Sequence, residues 1–414
     1  MLGILVGSVF FGIMADKFGR KIPLLASIAL QTTAGIAAAC IQSFEGFLVL
    51  RFLIAFATGG MMMTSFVICM EIVGGWWRTA VPILYHLPFG LGYSALGGIS
   101  YYFRSWRQLQ LVISVPCTLL LSYWWLIPES PRWLLAMDHH NEAEKVLGTA
   151  AKVNGRVWNN AHLMNLRRHK ENRVSIVSIK FREPNIIHNN DSKETFKRKP
   201  RNANYRKRQK GHIFDLLKTP NLRRKTLAIS YSWLASGLAF FGAAQYMSRL
   251  GGNIFINVAI SGATQVVGTL LSWYLMHTFG RRNTLLVSHL FSGVSCLLIA
   301  CVLKGWKWLP VALAANGLIG LAVVLSTNYL YSCELFPTVV RNAGIGVASM
   351  CARIGSLTAP FIATLDTIHP LIPPITFGIF PLVAGILVLL LPETSNQHLP
   401  DTIQEGEDFG KKKN

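Results

Sequence analysis

Ten stretches of this chain are each long and apolar enough to cross a lipid bilayer as a helix. They run at roughly 22–42, 46–70, 80–103, 108–127, 225–247, 254–277, 284–303, 309–332, 342–364 and 373–391, and a span needs about 20 such residues. Only 14% of the 414 residues are charged, where soluble domains carry roughly 25%. An all-α membrane protein follows, with the lipid bilayer as its permanent partner. The net charge of +21 would suit a nucleic-acid binder, but its Lys and Arg concentrate between the apolar stretches, so no nucleic-acid partner is expected. The seven cysteines all sit inside apolar runs without a C-x-x-C pair. They read as small buried hydrophobes, and no metal or cofactor site is expected.

An eleventh run, "MLGILVGSVFFGIMADKFGRK", is too short to span comfortably and carries its positive charge after the apolar part, unlike a signal peptide. Placing its charged turn in the cytoplasm puts alternate loops on alternate sides. Without the long insertion at 128–225, Lys and Arg then divide 10 inside against 5 outside, as the positive-inside rule requires. The insertion begins with "ESPRWLLAMDHHNEAEKVLGTAAK", which predicts an amphipathic helix. It continues into "KETFKRKPRNANYRKRQK", a solvated basic linker suited to anionic lipid headgroups. The expected organisation is an incomplete helix bundle over 1–127, a cytoplasmic linker over 128–224, a six-helix bundle over 225–391 and a cytoplasmic tail over 392–414.

The charged turns repeat. "FGRK" at 18–21 returns as "FGRR" at 279–282, Glu71 and Arg78 return as Glu334 and Arg341, and "IPES" at 127–130 returns as "LPET" at 391–394. Three features in one order at nearly constant offset mark a duplicated half. In the second half the F-G-R motif follows the second of six apolar segments, whereas in the first it follows the first. The opening run is therefore expected to be the tail of a second helix, with a further helix and a cysteine-bearing ectodomain encoded upstream. About eleven membrane segments in two parallel bundles form the two-bundle transporter architecture.

These motifs also carry a resemblance. "GSVFFGIMADKFGRK" resembles the signature between helices 2 and 3 of the major facilitator superfamily. "RQLQLVISVPCTLLLSYWWLIPESPRWLLA" and "YLYSCELFPTVVRNAGIGVASMCARIG" are similar to its organic cation, organic anion and carnitine transporter branch. The resemblance implies the major facilitator fold, a plasma-membrane location with linker and C-terminus cytoplasmic, and transport of a small organic ion by alternating access. It also implies a collective gating role for the charged residues at the cytoplasmic helix ends: Asp16, Arg20, Glu71, Arg78, Glu129, Arg132, Arg281, Glu334, Arg341 and Glu393. Ion pairs between the bundles would hold the outward-open state; the alternative is that they cap helices within each half, each worth under about 1 kcal/mol when exposed.

Within the membrane, Arg353 stands out. It lies about twelve positions beyond Arg341, roughly 18 Å deep at 1.5 Å per residue, on a small and polar face with Gly346, Ser349, Ser356 and Pro360. No Asp or Glu lies centrally in any segment to neutralise it, so a substrate carboxylate is its expected partner. The resemblance agrees, since this position is typically Arg in the anion and carnitine transporters and Asp in the cation transporters. Stripes carrying Trp233 and Phe241, Asn257, and Asn316 and Tyr331 are candidates to line a solute cavity, with helix packing as the competing use of their small neighbours. Arg51 is read as a structural, snorkelling residue, and His86 and His289 as hydrogen-bonded core histidines without an evident partner. The expected solute is a carboxylate-bearing anion or zwitterion. An organic cation held over Trp233, Phe241 and Tyr331 is the alternative, as is a truncated or receptor-like form that does not transport. No H-E-x-x-H, G-x-S-x-G or Walker A sequence occurs, so no enzyme is expected.

Overall fold

The computed structural model of the chain describes residues 1–73, 77–137, 139–155, 215–250, 252–302, 308–337, 340–395, 397, 400 and 402–410. Two compact units result, one built from Met1–Ile127 with Lys210–Asn414 and the other from Pro128–Gln209. Among the described residues the chain is helical throughout, without strands.

In the first unit the helices are α1 (Leu2–Phe18), α2 (Lys21–Cys40), α3 (Phe44–Ile72), α4 (Trp77–Leu84), α5 (Leu87–Tyr102) and α6 (Trp106–Ser114). A 3-10 stretch (Val115–Ser122) then leads into α7 (Tyr123–Leu126). The second unit holds α8 (Pro131–Ala136) and α9 (His140–Val153). The first unit resumes with α10 (Asp215–Lys218), α11 (Pro220–Met247), α12 (Ile254–Thr278), α13 (Arg281–Val302), α14 (Leu309–Leu335), α15 (Arg341–Thr364), α16 (Ile372–Val388) and α17 (Ile403–Asp408).

Eight of these stretches are long and apolar enough to cross a membrane, two fewer than the sequence led us to expect. The segment at 80–103 is broken into α4 and α5 by a turn at Tyr85 and His86, and Pro88, which has no N–H to continue the ladder, falls in the first turn of α5 where none is needed. The segment at 373–391 yields α16, a 17-residue helix, since Leu389–Leu391 tighten into single turns before Pro392. The amphipathic helix expected across 129–152 is likewise two helices. Ser130 caps the first by accepting the Trp133 N–H, and the Met137 and His139 N–H groups donate back to the Trp133 and Leu134 carbonyls before α9 begins.

Helices α11, α13, α14, α15 and α16 enclose the main core, centred on Leu238, Phe240, Met247, Leu318 and Phe377 at one level and Trp233, Leu285, Tyr331 and Phe336 at the other. A smaller core joins α2 and α3 through Leu24, Ile28 and Ile68. The first-half and second-half helices meet chiefly along α5 and α12. There Ser94 Oγ donates to the Ala259 carbonyl at 3.0 Å, and the Tyr101 and Phe255 rings meet edge-on at 5.8 Å. Gly90 and Gly262 allow this approach: a Cβ on Gly262 would fall on the backbone of Ser94. These contacts lie toward the ends remote from the F-G-R turns.

Candidate functional site

The charged turns form the same clasp twice. In the first half, Arg20 donates from Nε and Nη2 to the two oxygens of Glu71, both at 3.1 Å, and from Nη1 to the Ala15 carbonyl at 2.7 Å. Asp16 lies 3.3 Å from the same guanidinium but is largely in solvent. In the second half, Arg281 Nη2 donates to Glu334 Oε1 at 3.1 Å, with Nε 3.1 Å from Oε2, while Nη1 donates to Ser395 Oγ at 2.9 Å. The first clasp has the bidentate geometry that fits the guanidinium fork, while the second combines one such hydrogen bond with a close ion contact from Nε. Glu393 caps the second clasp, accepting the N–H groups of Arg281 and Arg282 at 2.9 and 3.0 Å at the start of α13.

Both clasps lie within one half of the duplication. Arg341 donates to the Phe336 carbonyl at 3.2 Å within its own turn. Glu129 and Arg132 belong to the second unit, where the Glu129 carboxylate accepts the Ser130 N–H at 2.9 Å. The Arg78 side chain lies outside the described residues.

On the clasp side of α3 and α14, five residues before Glu71 and Glu334, the two halves meet again through aromatic rings. Tyr329 on α14 stands edge-on to Trp233 of α11 at 4.5 Å, to His86 at 5.0 Å, and tilted against Phe66 of α3 at 5.9 Å. Tyr85 stands edge-on to Phe66 at 5.3 Å, its hydroxyl 2.6 Å from that of Ser65. The break between α4 and α5 puts Tyr85 and His86 here, in the turn before Pro88. Trp233 is held from behind, its indole N–H donating to Ser332 Oγ at 3.0 Å.

Arg353 sits halfway along α15, half-buried and close enough to Tyr329 to act on it electrostatically. Among the described residues no carboxylate pairs with its guanidinium and no acceptor receives a hydrogen bond from it. The helix carrying it is pressed against α11 by glycine, since a Cβ on Gly237 would strike the Ala352 carbonyl and one on Gly355 that of Leu234. Arg353 and Trp233 are thus brought to one level on neighbouring helices, with Tyr329 beside Trp233.

The other expected lining residues are engaged elsewhere. Tyr331 is fully buried, its hydroxyl donating to the Pro392 carbonyl, so it belongs to the core and not to a cavity wall. Asn257 ties α12 to the end of α11 by donating to the Met247 carbonyl at 3.1 Å. Phe241 packs edge-on to Phe240 against the main core, and Asn316 is exposed on the second turn of α14. Gly268 and Gly320 serve close helix contacts, which is the packing use of their stripes. Arg51 is exposed and lies over the Phe47 ring at 5.1 Å, as a structural residue would. Phe66, Tyr85 and Tyr329 were not singled out in the sequence, yet the repeat marks two of them. Phe66 lies five residues before Glu71, and Tyr329 five before Glu334.

This architecture is shared. The proton:xylose symporter XylE superposes with a TM-score of 0.70 at 15% identity, covering 99% of this chain and 87% of that one, which speaks to the fold alone. A family model described as "Sugar (and other) transporter" matches residues 1–208 and 188–404. An organic cation transporter protein of Drosophila melanogaster is 36% identical over 412 residues, covering 100% of this chain and 71% of its own length. The chain belongs to the organic cation, organic anion and carnitine transporter branch of the major facilitator superfamily. Two human members of that family, solute carrier family 22 member 13 and organic cation/carnitine transporter 2, are 32% and 31% identical over 98% of this chain and 67% of their own length. As a member of the family it is an integral membrane transporter and not an enzyme. In such a transporter an unpaired cation among aromatic rings, at the level where two halves meet, is a place where a solute can be held by charge and by ring faces together.

Proposed function

We propose that this transporter moves small organic ions bearing a carboxylate, as anions or zwitterions, by alternating access at the plasma membrane, with the F-G-R turns, the linker and the C-terminus in the cytoplasm. The observation that carries the reading is Arg353, a half-buried guanidinium without a protein carboxylate among the described residues. A charge in that position is costly to leave unpaired. A solute carboxylate would neutralise it with two parallel hydrogen bonds, while Tyr329, Phe66 and His86 meet the organic part and Trp233, fully buried, backs Tyr329 from the core. Contact of the halves at the ends remote from the clasps supports an inward-facing conformation here. Closure of the clasp end against the other half would then complete the cycle, which keeps a collective gating role for the charged residues.

A cation is the second reading. The ring faces favour it, since a quaternary ammonium over Tyr329 would gain about 1–2 kcal/mol per desolvated face. The Drosophila melanogaster relative is named an organic cation transporter.

Uptake of a labelled panel by the full-length protein separates the two. The panel comprises an organic anion, a trimethylammonium carboxylate and a quaternary ammonium without a carboxylate. Arg353→Ala is expected to abolish uptake of the first two, with Arg353→Lys restoring it only in part, because an ammonium cannot reproduce the planar fork. Normal carboxylate uptake by Arg353→Ala, or a preference for the ammonium lacking a carboxylate, would remove the anion assignment. Binding without flux would favour the receptor-like alternative.

A further inference from the structure

The buried polar side chains behind the aromatic cluster form one directed chain. His289, Ser232, Asn328 and Ser236 come from three helices, α13, α11 and α14, and all four are 0% exposed. His289 Nε2 is 2.8 Å from Ser232 Oγ. Ser232 donates to Asn328 Oδ1 at 3.0 Å, the Asn328 amide donates to Ser236 Oγ at 3.4 Å, and Ser236 donates to the Trp233 carbonyl at 2.9 Å. A hydroxyl has one proton, and Ser232 gives its own to Asn328. Nε2 must therefore be the donor to Ser232, which assigns the tautomer of His289 as the one with Nε2 protonated. The chain then runs in one sense from the imidazole to the backbone of Trp233.

The position of this chain in the sequence gives it a consequence. Ser232 immediately precedes Trp233, and Asn328 immediately precedes Tyr329, the two rings that meet at 4.5 Å. A helix held at one residue is held in rotation at the next. A ring carried about 6 Å from its helix axis moves by about 1 Å for each 10° of rotation, a displacement large enough to spoil a fitted contact. An apolar core would bury these helices equally well but would leave their rotation less specified, because dispersion has no preferred direction.

We propose that His289, through Ser232, Asn328 and Ser236, is a positioning residue for solute selection. It fixes the rotation of α11 and α14, so that the buried Trp233 backs the ring of Tyr329, which meets the organic part of the solute. It touches no solute itself. The inference rests on the reading that these rings and Arg353 form the binding site.

The test uses purified full-length protein and two carboxylates, 2-naphthoate and its fully saturated ring analogue, with Kd measured by calorimetry and unfolding temperature recorded for each variant. Both probes can meet Arg353, but only the first offers an aromatic face. His289→Phe and Ser232→Ala are expected to raise the Kd of 2-naphthoate at least fivefold and that of the saturated analogue less than twofold. His289→Gln, which can still donate to Ser232, is expected to recover to within twofold of the parent. A purely structural role would weaken both probes alike and would not be rescued by Gln. If His289→Phe does not fold, Ser232→Ala carries the measurement. Unchanged or equally weakened probes in these variants, with Tyr329→Ala selectively weakening 2-naphthoate, overturn the positioning role and leave the site standing. Unchanged binding in Tyr329→Ala, or no binding of either probe by the parent, overturns the site and this inference with it.

Discussion

The two clasps make a quantitative test of whether the charged turns act within each half or between them. Arg281 and Glu334 meet through two contacts of 3.1 Å with side chains 17% and 14% exposed. Unit charges at about 4 Å attract by about 4 kcal/mol at an effective dielectric near 20, and desolvation and side-chain ordering return part of that. Removing one partner of a buried pair costs about 3–5 kcal/mol, and the residual exposure here argues for the lower end. Glu334→Ala is therefore expected to cost about 3 kcal/mol, because Arg281 keeps only the Ser395 hydroxyl as a side-chain acceptor among those described. Glu71→Ala is expected to cost less, about 2 kcal/mol, because Asp16 and the Ala15 carbonyl still receive Arg20.

Double-mutant cycles on the denaturation midpoint of purified protein in mild detergent read the couplings directly. Alanine pairs at Arg20 with Glu71 and at Arg281 with Glu334 are expected to couple by about 1.5–3 kcal/mol, and the crossed pairs Arg20 with Glu334 and Arg281 with Glu71 by under about 0.5 kcal/mol. Crossed couplings as large as the direct ones would refute the reasoning and restore ion pairs between the halves as the ground-state arrangement.

Three further outcomes are expected. Gly262→Leu, whose side chain would occupy the space of Ser94, should hold α5 and α12 apart, eliminating net uptake while solute binding to purified protein stays within about threefold; normal uptake would exclude closure along these helices. Glu407 on α17 accepts the N–H groups of Asn221 and Leu222 at 3.0 and 2.9 Å while nearly buried, so Glu407→Ala should cost about 2–3 kcal/mol and speed proteolytic removal of the tail, a rate that would not change if α17 were merely resting there. Asn190, in the sequon "NDS", lies outside the described residues and should stay unmodified on the cytoplasmic side, so a glycosidase-sensitive shift lost in Asn190→Gln would reverse the proposed orientation.

The spans, the duplicated turns and the placement of Arg353 halfway along its helix could be read from composition and spacing, because each is a local or periodic signal. Partner choice could not. A repeat that preserves Arg20 with Glu71 and Arg281 with Glu334 is equally compatible with each Arg reaching its own half or the opposite one, since both arrangements obey the same two-fold. The structure chooses the direct pairing, and the geometry of a short turn explains it: α1 ends and α2 begins beside the end of α3. His289 and Ser232 are 57 positions apart, and nothing periodic links them. Tyr331 was misplaced because a stripe at helical spacing cannot say which neighbouring helix it faces. Phe66 and Tyr329 were legible through the repeat itself, had the comparison been carried from charged residues to rings.

The same repeat shows where the halves diverge. Carried forward from Glu71 and Glu334, its register sets Arg353 opposite Gly90. Phe66 and Tyr329, at equivalent positions, meet each other at 5.9 Å, so the rings sit where a pseudo-two-fold would place them. The charge does not: one half supplies Arg353, and the equivalent position of the other is a glycine whose Cβ would press on Val266 of α12. Two demands are divided between copies of one ancestral helix. In α15 the position is polar and half-buried, fit to hold a charged solute. In α5 it is bare backbone, fit for the close approach of the two halves near the middle of α12. A transporter must bind at its centre and seal at one end at a time, and a symmetric pair of helices would do the same thing twice. Replacing Gly90 by a bulky residue and Arg353 by a neutral one should therefore fail differently, the first in turnover with binding intact and the second in binding itself.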